Sequence, residues 1–128
     1  MNLKLILRGR PITKKNHQQI IKVGNRRMVK PSPQYCAYER ECLLQIPNKL
    51  KQLIDMPVNV QCVYYMPTRH KVDLVNLLEA TNDILVVAGV LEDDKCSIVA
   101  AHDGSRVDYD KHNPRVEITI TSYRGIVL

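Results

Sequence analysis

Six carboxylates and no base lie between positions 73 and 94: Asp73, Glu79, Asp83, Glu92, Asp93 and Asp94. A pair of Asp oxygens on one hard cation is what Mg²⁺ requires, and two such cations about 4 Å apart activate water and stabilise a leaving oxygen in phosphodiester hydrolysis. The same residues admit a plain structural role, with Asp73 capping a helix and Asp93-Asp94 making a turn. Upstream the sign reverses. From Met1 to Tyr38 there are nine bases (Lys4, Arg8, Arg10, Lys14, Lys15, Lys22, Arg26, Arg27 and Lys30) and no acid. Such a basic half is the footprint of a polyanion partner, usually nucleic acid, because each neutralised phosphate releases condensed counterions. An acidic stretch inside that protein repels phosphate unless something cationic sits between, and a divalent metal meets that need.

The other reactive residue types carry less. Cys36, Cys42, Cys62 and Cys96 form no C-x-x-C pair, and with the scattered His17, His70, His102 and His112 they show no zinc spacing, so buried or half-buried free thiols are expected. At 128 residues, 25% charged and 45% hydrophobic, the chain suits one globular domain over 1–128 and excludes disorder or a coiled coil. Trp and Phe are absent, so Leu, Ile, Val and six Tyr must fill the core. No apolar run is long enough to span a bilayer and Met1 to Arg10 alternates rather than forming a signal-peptide core, which predicts no membrane association and a cytoplasmic location.

The elements that must position these residues follow from periodicity. Leu3, Leu5 and Leu7 alternate within a strand over 2–8, and 9–18 reads as a loop carrying Lys14 and Lys15. Gly24-Asn25 between 19–23 and 26–30 predicts a hairpin bearing Lys22, Arg26, Arg27 and Lys30. Ser32-Pro33 starts a helix that reaches about Ile46, and Leu50, Leu53 and Ile54 suggest a further helical turn or two after Pro47. A strand over 57–66 places Val58, Val60, Cys62, Tyr64 and Met66 on one face. A basic connector over 68–71 leads to a second helix over 73–88, which Gly89 closes, although 84–87 competes as strand. Strands over 96–101 and 115–122 end the pattern, with a long polar loop between them that holds Asp103, Gly104, Asp108, Asp110 and Lys111. One parallel crossover among antiparallel pairs predicts an α+β class with a mixed sheet, two main helices and a basic hairpin. A helix of about fifteen residues is roughly 22 Å long, so Asp73 and Asp94 meet only if the chain past the helix runs back or the acidic loop folds over.

The run Lys71-Val72-Asp73-Leu74-Val75-Asn76-Leu77-Leu78-Glu79-Ala80, followed by Asp83, Ala88-Gly89 and Asp93-Asp94, resembles the signature of the RusA-type Holliday junction resolvases. Gly9 to Asn16, Pro31-Ser32 before Tyr35 and Tyr38, Met56-Pro57-Val58, Tyr65-Met66-Pro67 and Pro114 to Ile118 agree in order, so the resemblance covers nearly the whole chain. It implies a RusA-like fold and a homodimeric, Mg²⁺-dependent endodeoxyribonuclease that cuts two strands of a four-way DNA junction symmetrically, in a bacterial or phage setting. Asp73 and Asp94 match family aspartates, with Asp93 beside the second. Another family aspartate falls on Val75 and a helical lysine on Glu79. One turn apart on a helix, the long Glu79 side chain leans back toward Val75 and can bring its carboxylate to the missing position. The expected site is therefore Asp73, Asp94 and Glu79 for catalysis, Asp73, Asp94 and Asp93 for Mg²⁺, and Lys14, Lys15, Arg26, Arg27, Arg69 and Lys71 for DNA. The alternative is a branched-DNA binder of the same fold whose cleavage is impaired by Val75. RNA binding through the basic hairpin is a third possibility.

Overall fold

Three long strands with alternating apolar residues build most of the sheet. In the computed structural model, which describes residues 1–15 and 18–124, β1 (Asn2–Arg8) pairs antiparallel with β7 (Arg115–Ser122), and β7 pairs antiparallel with β4 (Val58–Met66). The registers set Leu7, Val116 and Tyr64 in one row and Leu5, Ile118 and Cys62 in the next. Leu3, Ile120 and Val60 form a third row. Because side chains alternate across a strand, this alignment gathers the apolar set on one face, where it packs against both helices. The α+β class, mixed sheet and two helices expected from the sequence are present. Among the described residues no helix is long and apolar enough to cross a membrane.

Helix α1 (Pro33–Gln45) begins where Ser32 Oγ accepts the Tyr35 N–H at 3.1 Å and stops before Pro47. Its last residue locks it to the sheet: Gln45 Oε1 accepts from the Arg8 N–H at 2.7 Å, and Gln45 Nε2 donates to the Arg8 carbonyl at 3.0 Å. The helical turns expected through Ile54 are reduced to a single 3-10 turn, Asn48–Leu50. Beyond it Leu53 takes a positive φ of 49° and Ile54 pairs in extended form with Leu91, so a buried backbone bridge displaces the helical reading.

Helix α2 (Leu74–Val87) buries Leu77, Leu78, Ala80, Thr81, Ile84 and Leu85. The competing strand over 84–87 does not form, and Gly89 adopts φ 81° just past the helix end, as a left-handed cap requires. The Thr81 hydroxyl gives its hydrogen to the Leu77 carbonyl at 3.0 Å, so the buried Tyr64 hydroxyl donates to Thr81 Oγ1 at 2.6 Å and joins helix to sheet.

The far edge of β4 departs from expectation. The strand expected over 96–101 shortens to β5 (Val99–Ala101), and the polar loop contains a further strand, β6 (Arg106–Tyr109). Both run parallel to β4, one at its start and one at its end. Between them residues 102–105 leave the ladder, and β4 side chains take over its hydrogen bonds. Asn59 bonds the backbone of Asp103 through both its oxygen, at 2.7 Å, and its nitrogen, at 3.2 Å. Ser105 Oγ accepts the Cys62 N–H at 3.0 Å. Gly104 sits at φ 83°, and a Cβ there would come within 2.9 Å of the Gln61 amide nitrogen.

The hairpin forms as expected from β2 (Gln19–Val23) and β3 (Arg26–Lys30), which pair only with each other. Of the loop expected over 9–18, Asn16 and His17 lie outside the described residues. Among the thiols Cys42 and Cys62 are buried and Cys36 is half-buried, but Cys96 is exposed because the strand expected around it is a turn. Burial pushes Cys42 up to about 11 and Cys62 up to about 12, so both are inert thiols at neutral pH.

Candidate active site on the acidic face of α2

Asp73 occupies the N-cap of α2, where its Oδ1 accepts from the N–H groups of Val75 at 2.9 Å and Asn76 at 3.3 Å. Asn76, Glu79 and Asp83 follow at spacings of three and four and so share one helix face. Val75, one turn before Glu79, borders that face and is 69% exposed.

The loop after β1 lies over this face and supplies its counter-charges. Lys14 Nζ meets Asp83 Oδ2 at 2.8 Å, and Lys15 Nζ meets Glu79 Oε2 at 3.5 Å. The hydrogen bond to Asp83 is the main reason the Lys14 ammonium is held above the usual lysine value. Glu39 of α1 and Glu79 add to it against the cost of partial burial. Lys14 also stands 5.9 Å from the centre of the Tyr35 ring. The Tyr35 hydroxyl is buried without a hydrogen-bond partner, and burial, reinforced by the Glu39 and Asp83 charges, drives its ionisation far above the ordinary tyrosine value. Two of the acids on this face thus carry lysine counter-charges.

Past α2, the Asp94 N–H donates to Asp93 Oδ1 at 2.7 Å. The Asp94 carboxyl is held above the usual aspartate value, first by desolvation, then by its hydrogen bond with Asp93 and by the Asp83 and Asp93 charges. The Asp83 charge is therefore felt at the Asp93-Asp94 turn, a role the sequence reading did not give it. The signal was available in the i, i+4 spacing of Glu79 and Asp83. Among the described residues no group of three or more His, Cys, Asp or Glu converges in a form that could hold a metal ion. Asp73, Asp93, Asp94 and Glu79 consequently do not constitute a ready-made metal cage.

The expected DNA contacts divide into four settings. Lys14 and Lys15 are engaged with acids; Arg26 and Arg27 lie exposed on the hairpin; Arg69 stacks on Tyr109 with its guanidinium carbon 4.4 Å from the ring centre. Lys71 is exposed beside Asp73. Arg115, by contrast, is structural: it lies 3.9 Å from the centre of the Tyr65 ring and bonds Glu117 at 2.7 Å and Asp110 at 3.0 Å. The Arg115 bond, helped by the backbone N–H groups of His112 and Asn113, draws the Asp110 carboxyl below its ordinary value.

The donor chemistry fits a hard divalent cation. Mg²⁺ usually takes only one or two protein carboxylates and completes its shell with water and substrate phosphate, so a closed cage is not needed. Desolvation first, and then the neighbouring acids, make Asp94 reluctant to ionise, and a bound cation favours the ionised form against both.

A carboxylate helix face under a lysine-bearing loop, with further arginines around it, is the charge layout of a protein that handles a polyanion. The endodeoxyribonuclease RusA family model matches residues 8–121, and the chain belongs to that family. No curated protein matches the chain.

Proposed function

We propose that the protein is a structure-specific endodeoxyribonuclease that resolves four-way DNA junctions by paired phosphodiester hydrolysis, with Mg²⁺ as cofactor and a second copy of the chain completing a two-fold assembly. The observation that carries this reading is the stacking of Lys14 and Lys15 over Asp83 and Glu79, beside the mutually repelling Asp83 and Asp94, in a chain of the RusA endodeoxyribonuclease family.

Asp94 and Asp83 are the carboxylates that would hold the cation, with Asp93 beside them and Asp73 at the helix start. When bound, Mg²⁺ supplies a Lewis acid for the phosphodiester and a more acidic water. Lys14 and Lys15 keep the carboxylate face near neutral before substrate arrives. Both ion pairs are partly exposed and therefore weak, so exchanging a carboxylate for a phosphate oxygen costs little. In that exchange Lys14 and Lys15 would turn toward the phosphates, leaving Asp83 and Glu79 free of their present counter-charges. Arg69, braced on Tyr109, and Lys71 extend the cationic surface along the strand. A two-fold pair of subunits suits a junction whose opposed strands are themselves related by two-fold symmetry.

A second reading is favoured by Val75, which stands exposed where the family carries a carboxylate, and by the engagement of Glu79 with Lys15: the protein binds branched DNA without cutting it. Incubating the protein with a synthetic four-way junction in Mg²⁺ and in EDTA separates the two. Symmetric nicks in Mg²⁺ alone, absent from linear duplex, support the nuclease. Tight binding with no nicks, and nicking restored by Val75→Asp, supports the binder. If the wild type cuts and Glu79→Ala leaves the rate intact, Glu79 has not replaced the missing carboxylate.

A further inference from the structure

A cavity of about 240 Å³ opens between the loop after β1, the start of α1 and the connector from β4 to α2. Its wall is apolar where Pro11, Ile12, Met66 and Val72 meet. Its rim carries Arg10, His70 and Lys71, all exposed, and none of them takes part in any ion pair among the described residues. Gln34 and Thr68 add exposed hydrogen-bonding groups at the mouth. This differs from the acidic face next door, where the lysines are already paired.

An apolar recess rimmed by two unpaired cations, Arg10 and Lys71, and by the His70 ring matches one chemical unit, a flat base joined to a phosphate. The volume lies below the roughly 300–1,000 Å³ of pockets for drug-sized ligands, which suits one nucleotide rather than two. Position supplies the link to the site already described. Thr13 lines the cavity and Lys14 follows it; Val72 lines the cavity and Asp73 follows it. On two separate segments the cavity is thus one residue, about 3.8 Å of chain, from the carboxylate face.

We propose that this cavity receives one unstacked nucleotide of the DNA strand beside the cleaved phosphate, its base against Ile12, Met66 and Val72 and its phosphate on Arg10, His70 and Lys71. The inference rests on the nuclease reading and adds a subsite to it. Four-way junctions favour such a site, since bases at a branch point cost less to unstack than bases within a duplex. No Phe, Tyr or Trp lines the cavity, and its one ring, His70, stands at the exposed rim, so a fluorescent base seated against Ile12, Met66 and Val72 would lose its stacking partners.

That last property sets the experiment. 2-Aminopurine is placed in turn at each position flanking the crossover of a synthetic junction, and fluorescence is followed on adding the protein in Ca²⁺ to prevent cutting. The expected result is a several-fold rise at one position per two-fold half. Ile12→Trp, which fills the cavity, removes the rise and weakens junction binding about fivefold to tenfold, the size of one lost base-sized apolar contact. Should Ile12→Trp fold poorly by circular dichroism, the exposed pair Arg10→Ala with Lys71→Ala serves instead. It removes the rise and flattens the salt dependence by about two phosphate contacts. Junction binding with no brightening at any position, or brightening that survives the variants, overturns the subsite and leaves the nuclease reading intact. Failure to bind any junction overturns both, and tighter binding of single-stranded RNA than of DNA overturns the commitment to DNA.

Discussion

At the scale of single residues, the acidic face of α2 is governed by which carboxylate has a counter-charge. Asp83 and Glu79 each have a lysine; Asp94 makes no ion pair among the described residues and feels the charges of Asp83 and Asp93. Its folded-state ionisation therefore lies above the ordinary aspartate value of 3.8, which means the folded state prefers it protonated. The linked stability is fully present below that ordinary value and is lost as pH rises through the higher folded one. Relative to Asp94→Asn, which has no such proton, the wild type should lose stability as pH rises from about 4 toward neutrality in metal-free buffer. Thermal melting at several pH values checks the sign. Added Mg²⁺ should then raise the melting temperature of the wild type more than that of the variant, because only the wild type has this carboxylate to offer the cation.

At the scale of elements, helix–sheet junctions and the broken β4 edge set the stability. Tyr64→Phe removes the donor to Thr81 Oγ1 inside the core and should cost about 1 kcal/mol in urea denaturation, with an unchanged slope. Gly104→Ala forces a side chain into positive φ against Gln61 and should cost about 1–2 kcal/mol, enough to loosen β6. These elements were not equally legible. Strands β1, β4 and β7, the hairpin and both helices announce themselves through alternation, a Gly-Asn turn, a Ser-Pro start and helical spacing. The short strand β6 does not, because its four residues are all exposed and half of them charged, so its pairing comes from the edge of β4 rather than from its own pattern. The extended path at Ile54 was hidden for a related reason, since its bridge partner Leu91 lies far along the chain. At the site, the acids and bases were legible one by one. Their pairing was not, because Lys14 and Asp83 are joined by tertiary folding and no local spacing links them.

For the whole molecule, two cationic surfaces are available to DNA, the hairpin and the region around the acidic face. Charge reversal at Arg26 and Arg27 should weaken junction binding about equally for all sequences and lower the salt slope by roughly one for each lost phosphate contact. Unchanged salt dependence in fluorescence anisotropy would place the hairpin away from DNA. If the active assembly is a two-fold pair, light scattering at micromolar protein should report twice the 14.7 kDa chain mass, and a value at the chain mass alone would count against the symmetric mechanism. The central claim is that the carboxylates beside α2 act in hydrolysis rather than only in folding. Its most direct measurement is single-turnover cleavage of a four-way junction by the wild type and Asp94→Asn, with binding to the same junction measured in parallel. The predicted result is a loss of at least about a hundredfold in cleavage rate with binding equal or tighter, since a negative charge facing phosphate has been removed. Cleavage by Asp94→Asn at the wild-type rate would contradict it.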